Sequence, residues 1–262
     1  MIIDTHCHLD NKQYYEDIDN VIQNALNHNV KGFLIPGADF DDLPQAIALA
    51  EKYDEVYFAV GIHPYDIDKF DEATMEKYVS HPKCIAIGEC GLDYFRLPED
   101  EIEKEENIKK QKEVFIAQIN FAKKVKKPLI VHIREASNDS RQILIDYNAK
   151  EVGGVLHCFN ASEHLLPLSE HNFYFGIGGV LTFKNAKKLV DILPKIPKER
   201  LLIETDAPYL TPHPHRGERN EPYYTVFVSS KMSELLNLSD DEIQKLTTNN
   251  AKKLFKEFSS LS

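Results

Sequence analysis

Short apolar runs alternate eight times with amphipathic stretches, and this pattern constrains the chain more than any other feature. Residues 30–35, 56–62, 84–88, 129–131, 155–156, 173–177 and 201–203 read as strands, after a first one over 1–4. Helical patterns follow over 15–27, 43–52, 72–79, 102–125, 140–147, 163–168 and 186–193, and two more close the chain at 223–236 and 240–257. Strands buried on both faces of a parallel sheet read as nearly continuous apolar runs, as these do. Eight β-then-α units in 262 residues predict an α/β fold, a closed (β/α)8 TIM barrel, which typically takes about 250 residues. A doubly wound open sheet is the alternative. It is weakened because no Gly-rich phosphate-binding turn follows the first strand. No linker or low-complexity tract breaks the pattern, so residues 1–262 are expected to form one domain.

Composition narrows the function classes. The apolar fraction of 42% and charged fraction of 28% are ordinary for a soluble globular chain. A net charge of −11 argues against a protein that coats nucleic acid by counterion release. It leaves room for an enzyme that takes one phosphodiester or ester into a site where cations reverse the local sign. No apolar run approaches the roughly 20 residues needed to span a bilayer. A strand starting at Met1, without a basic leader, is expected to leave no signal peptide. Cys7, Cys84, Cys90 and Cys158 form no CxxC pair and are expected to be reduced thiols in a cytoplasmic protein. The dense charge of residues 99–112 reads as a solvated helix face.

Chemistry gathers at the strand ends. His6 and His8 follow the first strand, and alternation in extended backbone aims both imidazoles the same way. Glu89 follows the fourth strand, His132 the fifth, His157 the sixth and Asp206 the eighth. Barrel enzymes build their sites at that C-terminal rim, whereas chance would scatter such residues over both ends. A mixed imidazole and carboxylate set suits Zn2+, Mn2+ or Fe2+, and with added water Mg2+. Six candidate ligands exceed the three that one open catalytic metal usually takes. They suit two divalent cations about 3.5–4 Å apart that share a carboxylate. Glu89, between the two groups in strand order, is the candidate bridge. Asp206 is the candidate for orienting the attacking water and taking its proton.

The sequence resembles the TatD family of metal-dependent hydrolases, a branch of the amidohydrolase-like barrels. The matching segments are Asp4-Thr5-His6-Cys7-His8-Leu9-Asp10, Gly61-Ile62-His63-Pro64, Gly88-Glu89-Cys90-Gly91-Leu92-Asp93-Tyr94 and Pro128-Leu129-Ile130-Val131-His132. They continue through Gly154-Val155-Leu156-His157-Cys158-Phe159, Leu202-Ile203-Glu204-Thr205-Asp206-Ala207-Pro208-Tyr209-Leu210 and Pro214-His215-Arg216-Gly217-Glu218-Arg219-Asn220-Glu221-Pro222. The resemblance implies a (β/α)8 barrel, divalent-metal-dependent hydrolysis and deoxyribonuclease activity. It also implies one metal on His6, His8, Glu89 and Asp206, and another on Glu89, His132 and His157. Two departures stand out. His132-Ile133-Arg134-Glu135 replaces the frequent His-Ser-Arg-Asp, which puts the hydrogen bonding behind His132 in question. Cys90 replaces a frequent Ile, a packing change.

Four further residues are expected to touch substrate: His63 at the end of the third strand, Arg134 two residues beyond His132, and Arg216 and Arg219 in the loop 211–222. A guanidinium there could take a phosphate bidentately. The competing expectation is structural pairing, for the loop arginines with Glu218 and Glu221. Glu204 should point into the barrel and, being costly there alone, should pair with a ligand histidine. Asp93 and Tyr94 are expected to shape the loop beyond Glu89.

The functional expectation is a hydrolase of DNA phosphodiester bonds, acting on a single strand or a strand end because the acidic surface disfavours tight duplex binding. No obligate protein partner is evident. An esterase or amidohydrolase with the same barrel, acting for example on an aminoacyl ester of tRNA, is the alternative. A non-catalytic scaffold barrel is disfavoured because all six ligand positions are filled.

Overall fold

The structure, a computed structural model, describes residues 1–261. Eight parallel strands run in the order β1 to β8: Ile2–Asp4, Val30–Ile35, Val56–Val60, Cys84–Asp93, Leu129–Arg134, Gly154–Leu156, Phe173–Ile177 and Leu201–Ile203. β8 returns to β1 through Thr5 N–H donating to Ile203 O at 3.1 Å and Asp206 N–H donating to His6 O at 2.9 Å. The expected (β/α)8 barrel is therefore the fold. The outer layer contains α1 (Ile18–Asn27), α2 (Leu43–Lys52), α3 (Glu72–Val79), α4 (Glu101–Val125), α5 (Ser137–Asp146), α6 (Lys187–Ile192), α7 (Thr225–Leu236) and α8 (Asp240–Leu254).

Two details differ from the sequence reading. Between β6 and β7 there is no α-helix but a 3-10 segment, Glu163–His171, with Pro167 inside it. Proline lacks the N–H that an α-helical turn needs. β4 and β5 also run further than their apolar cores suggest, reaching Asp93 and Arg134. Glu89 and His132 thus lie within strands. Gly91 pairs with His132 in that ladder at φ +146°, and a Cβ on it would sit 1.9 Å from His132 O. Only glycine lets the two backbones approach so closely.

Side-chain alternation then decides what enters the barrel. Ile130, Val155, Tyr174 and Leu202 belong to one buried interior cluster, which Phe255 and Phe258 join beyond α8. Two residues further along three of these strands, the same inward parity delivers His132, His157 and Glu204. The apolar plug and the polar rim are thus successive layers of one barrel. Among the described residues, no helix is long and apolar enough to cross a membrane.

Candidate metal centre

The six candidate ligands meet at the C-terminal rim. His6 Nε2 lies 3.3 Å from Glu89 Oε2, 3.6 Å from Asp206 Oδ1 and 3.3 Å from His8 Nε2. His8 Nε2 is 3.5 Å from Asp206 Oδ1. Glu89 turns its other oxygen, Oε1, to His132 Nδ1 at 2.9 Å, His157 Nε2 at 3.5 Å and His63 Nε2 at 3.6 Å. One buried carboxylate therefore divides its two oxygens between two groups of imidazoles. Ligand atoms lie within 4.8 Å of one another in three sets: His6, His8 and Asp206; His6, Glu89 and His157; and His63, Glu89 and His132.

Carboxylates behind the rings decide which nitrogen His157 and His132 present. His157 Nδ1 pairs with Glu204 Oε1 at 3.0 Å, leaving Nε2 aimed at Glu89. Glu204 Oε1 also accepts from Cys158 N–H at 2.6 Å. Gly176 on β7 makes the room, since a Cβ there would fall 2.1 Å from Glu204 Oε2. His132 Nε2 pairs with Asp93 Oδ2 at 2.8 Å, leaving Nδ1 on Glu89. A ring N–H given to a carboxylate fixes the tautomer and frees the other lone pair for a cation. Asp93 thus supplies the hydrogen bond behind His132 that the Ile133 and Glu135 departures left in question.

His63 differs. Its Nδ1 accepts the Tyr65 backbone N–H at 3.1 Å, so the neutral ring carries its proton on Nε2, which faces Glu89. Burial lowers its pKa to about 4, which keeps the ring neutral at physiological pH. A cation on Nε2 would require an imidazolate. His63 therefore fits a hydrogen-bond donor better than a ligand, although its distances alone allow either.

The electrostatics suit cations. Burial opposes ionisation of Glu89, yet His157 and His6 outweigh it and hold the carboxyl well below its ordinary value. Burial likewise acts against Asp206, but its hydrogen bond to His8 prevails and lowers it. Burial alone would lower His157, whereas Glu204 and Glu89 raise it to about 10. Buried carboxylates here demand positive charge, which protons on the imidazoles or metal cations can supply at the same nitrogens. His6 and His157 stack with centroids 3.5 Å apart and 12° between planes, an arrangement poorly suited to two imidazolium ions. The donor set fits divalent cations on both sides of Glu89.

Several positioning residues escaped the sequence reading. Asp4 accepts from Thr205 N–H at 3.0 Å, Thr205 Oγ1–H at 2.6 Å and His6 N–H at 3.3 Å, tying the β1 and β8 ends together. On α4, buried Gln118 clasps both backbone groups of Ile62, and buried Gln111 clasps both of Asp93. The seven-residue spacing puts both glutamines on one helix face. Their signal is two amides at that spacing in a helix whose charges otherwise suggest solvent.

The arginines part company. Arg134 is exposed at the rim with its guanidinium 3.5 Å from the Phe95 ring centroid. Arg219 is committed elsewhere: Nη1 donates to Gln13 O and Asp17 Oδ1, and Nη2 to Asp17 Oδ2 and Glu221 Oε1. These bonds match the competing expectation of structural pairing, with Glu221 as one of the partners. Arg216 donates to Thr211 O at 2.7 Å and covers Phe183, so it braces its loop without the expected glutamate.

A closed βα barrel with imidazoles and carboxylates converging on its C-terminal rim has the donor set of a metal-dependent enzyme. The family described as TatD related DNase matches residues 3–256, and the chain belongs to it. A Bacillus subtilis relative, the metal-dependent hydrolase YabD, is 43% identical, over 98% of this chain and 99% of its own. An Escherichia coli K12 relative named 3'-5' ssDNA/RNA exonuclease TatD is 33% identical, over 97% of this chain and 98% of its own. The crystal structure of YJJV, a TatD homolog from E. coli K12, superposes with a TM-score of 0.88 at 29% identity, covering 97% of this chain and 98% of its own.

Proposed function

We propose that this hydrolase cleaves phosphodiester bonds in DNA, acting at single strands or strand ends, with two divalent cations (Zn2+, Mg2+ or Mn2+) held by His6, His8, Glu89, His132, His157 and Asp206. The observation that carries the reading is the division of the Glu89 oxygens between two imidazole groups. The name of the E. coli exonuclease relative supports the choice of bond. We place the protein in the cytoplasm, where its four unpaired cysteines stay reduced.

Divalent cations at such a centre supply water activation and neutralise charge on a phosphoryl group. The chain's own groups do the rest. Asp206, held ionised, takes the proton of the attacking water at Oδ2, its Oδ1 being turned to His6 and His8. His63 donates from Nε2 to a phosphoryl oxygen, its orientation fixed by the Tyr65 N–H. Arg134 reaches the next phosphate from the rim. Glu204 and Asp93 hold the His157 and His132 rings in register, so no binding energy is lost in orienting them.

The test is release of mononucleotides from end-labelled single-stranded DNA by the purified protein with added Mg2+ or Mn2+, beside a panel of p-nitrophenyl carboxylic esters. Metal-dependent nucleotide release, lost in Asp206→Ala, is expected. Ester hydrolysis without nucleotide release would replace this reading with the esterase one, including aminoacyl esters of tRNA. Failure of both, with no divalent metal bound, would leave a scaffold barrel.

A further inference from the structure

Among the described residues, six large apolar or aromatic side chains are exposed: Tyr15, Tyr65, Phe95, Ile102, Tyr147 and Tyr209. Isolated exposed rings are ordinary on a protein surface. Three of these are not isolated, because each is built onto a residue of the metal centre. Tyr65 packs edge-on against His63 with centroids 4.7 Å apart. Phe95 is anchored by its N–H donating to Asp93 Oδ1 at 2.9 Å, the same carboxylate group that holds His132. Tyr209 packs edge-on against His8 at 5.9 Å, and its hydroxyl accepts from Asn11 Nδ2 at 3.2 Å.

Their placement around the barrel is informative. Tyr65 follows β3 and Phe95 follows β4, while Tyr209 follows β8. In an eight-stranded barrel, β4 and β8 are diametrically opposed. The exposed rings therefore flank the centre on two opposite sides. On the β3–β4 side, the guanidiniums of Arg96 and Arg134 lie over Tyr65 and Phe95, at 5.2 and 3.5 Å from the ring centroids. Both arginines are exposed, so cationic donors for a backbone phosphate stand next to aromatic faces. Among the described residues, no such cation lies over the Tyr209 ring on the β8 side.

We infer that Tyr65 and Phe95 on one side and Tyr209 on the other form two nucleobase-stacking subsites that thread an unpaired strand across the metal centre. The inference rests on the nuclease reading above and names the feature of the substrate that the rim recognises. A chain of net charge −11 gains little from general attraction to phosphate. Stacking supplies affinity without a basic surface, and every base offers a π-face. It also selects against duplex, whose base faces are already stacked on one another. The side carrying Arg96 and Arg134 holds a base together with its phosphate. The Tyr209 side holds a base alone, as befits the short end of a strand being shortened.

The experiment measures kcat/KM for a short oligodeoxythymidylate against that for an abasic phosphodiester oligomer of the same length built from tetrahydrofuran spacers, which carries the same bond but no base, together with Kd for the oligonucleotide by fluorescence anisotropy. Tyr65→Ala, Phe95→Ala and Tyr209→Ala are each expected to raise Kd about tenfold and lower the oligonucleotide-to-phosphodiester ratio by a similar factor. Tyr209→Phe, which keeps the ring and loses the Asn11 hydrogen bond, is expected to retain most of the wild-type ratio. Tyr147→Ala, an exposed ring outside the rim, is expected to match wild type. If wild type cleaves both substrates and no alanine variant moves either Kd or the ratio, the stacking subsites are overturned and the nuclease reading stands. If wild type cleaves neither and binds no oligonucleotide, the nuclease reading falls and takes this inference with it.

Discussion

His157 and His132 each surrender one ring nitrogen to a buried carboxylate, and those carboxylates set the direction of the free lone pair. Removing such a partner leaves the ligand present but poorly aimed. Glu204→Gln and Asp93→Asn are expected to weaken divalent-metal affinity by about 10–100-fold, read by competition with a fluorescent chelator. An unchanged affinity in both would mean that packing alone holds the rings. Gly176→Ala should act through the same contact, since its methyl would displace the Glu204 carboxylate. Glu204 was legible from sequence because it lies two residues before Asp206, on the same parity, and an unpaired inward carboxylate is costly. The fork of Asp4 on Thr205 was not legible. A carboxylate closing an apolar strand looks like any strand end until the chain's other terminus is folded beside it.

The strands and helices carry the site by two devices. Strand length is the first. β4 and β5 extend through Glu89 and His132, and sequence reasoning ended both early because glycine and charged residues resemble strand breakers. Burial on both faces of β4 and the close approach of the two strands at Gly91 override that local signal. The second device is α4, whose Gln111 and Gln118 hold the backbone beside His63 and at Asp93 in place of a sheet partner. Gln118→Ala would strand the Ile62 N–H and C=O in a dry interior, costing about 1–3 kcal/mol for each group left unpaired. A fall of roughly 4–24 °C in Tm is expected by thermal unfolding, and a change under 1 °C would show that the clasp is dispensable. The order of the elements was readable because buried parallel strands are distinctive. The 3-10 segment between β6 and β7 was missed because its leucines keep helical spacing despite Pro167.

For the molecule as a whole, charge acts at two levels. On the surface, the Arg219 guanidinium holds the Asp17 carboxyl below its ordinary value and joins the loop after β8 to the segment before α1. A carboxyl depressed by folding stabilises above its unfolded pKa, and that contribution is lost as pH falls through the folded value. Asp17 is well exposed, so solvent screening limits the pair to under about 1 kcal/mol. Asp17→Asn is expected to lower Tm by at most about 4 °C at pH 7, with the difference shrinking as pH falls below the ordinary carboxylate value of about 3.9. A constant difference across that range would assign the loss to packing. At the rim, the negative charge is concentrated in Glu89 and Asp206 and calls for cations. The decisive measurement is a metal titration of chelator-stripped protein by elemental analysis, with nucleotide release from single-stranded DNA followed on the same samples. Two divalent ions per chain in wild type, fewer in Glu89→Ala, and activity rising with loading are expected. Nucleotide release that persists in the stripped protein, or a wild type that binds no divalent ion, would contradict a metal centre shared across Glu89.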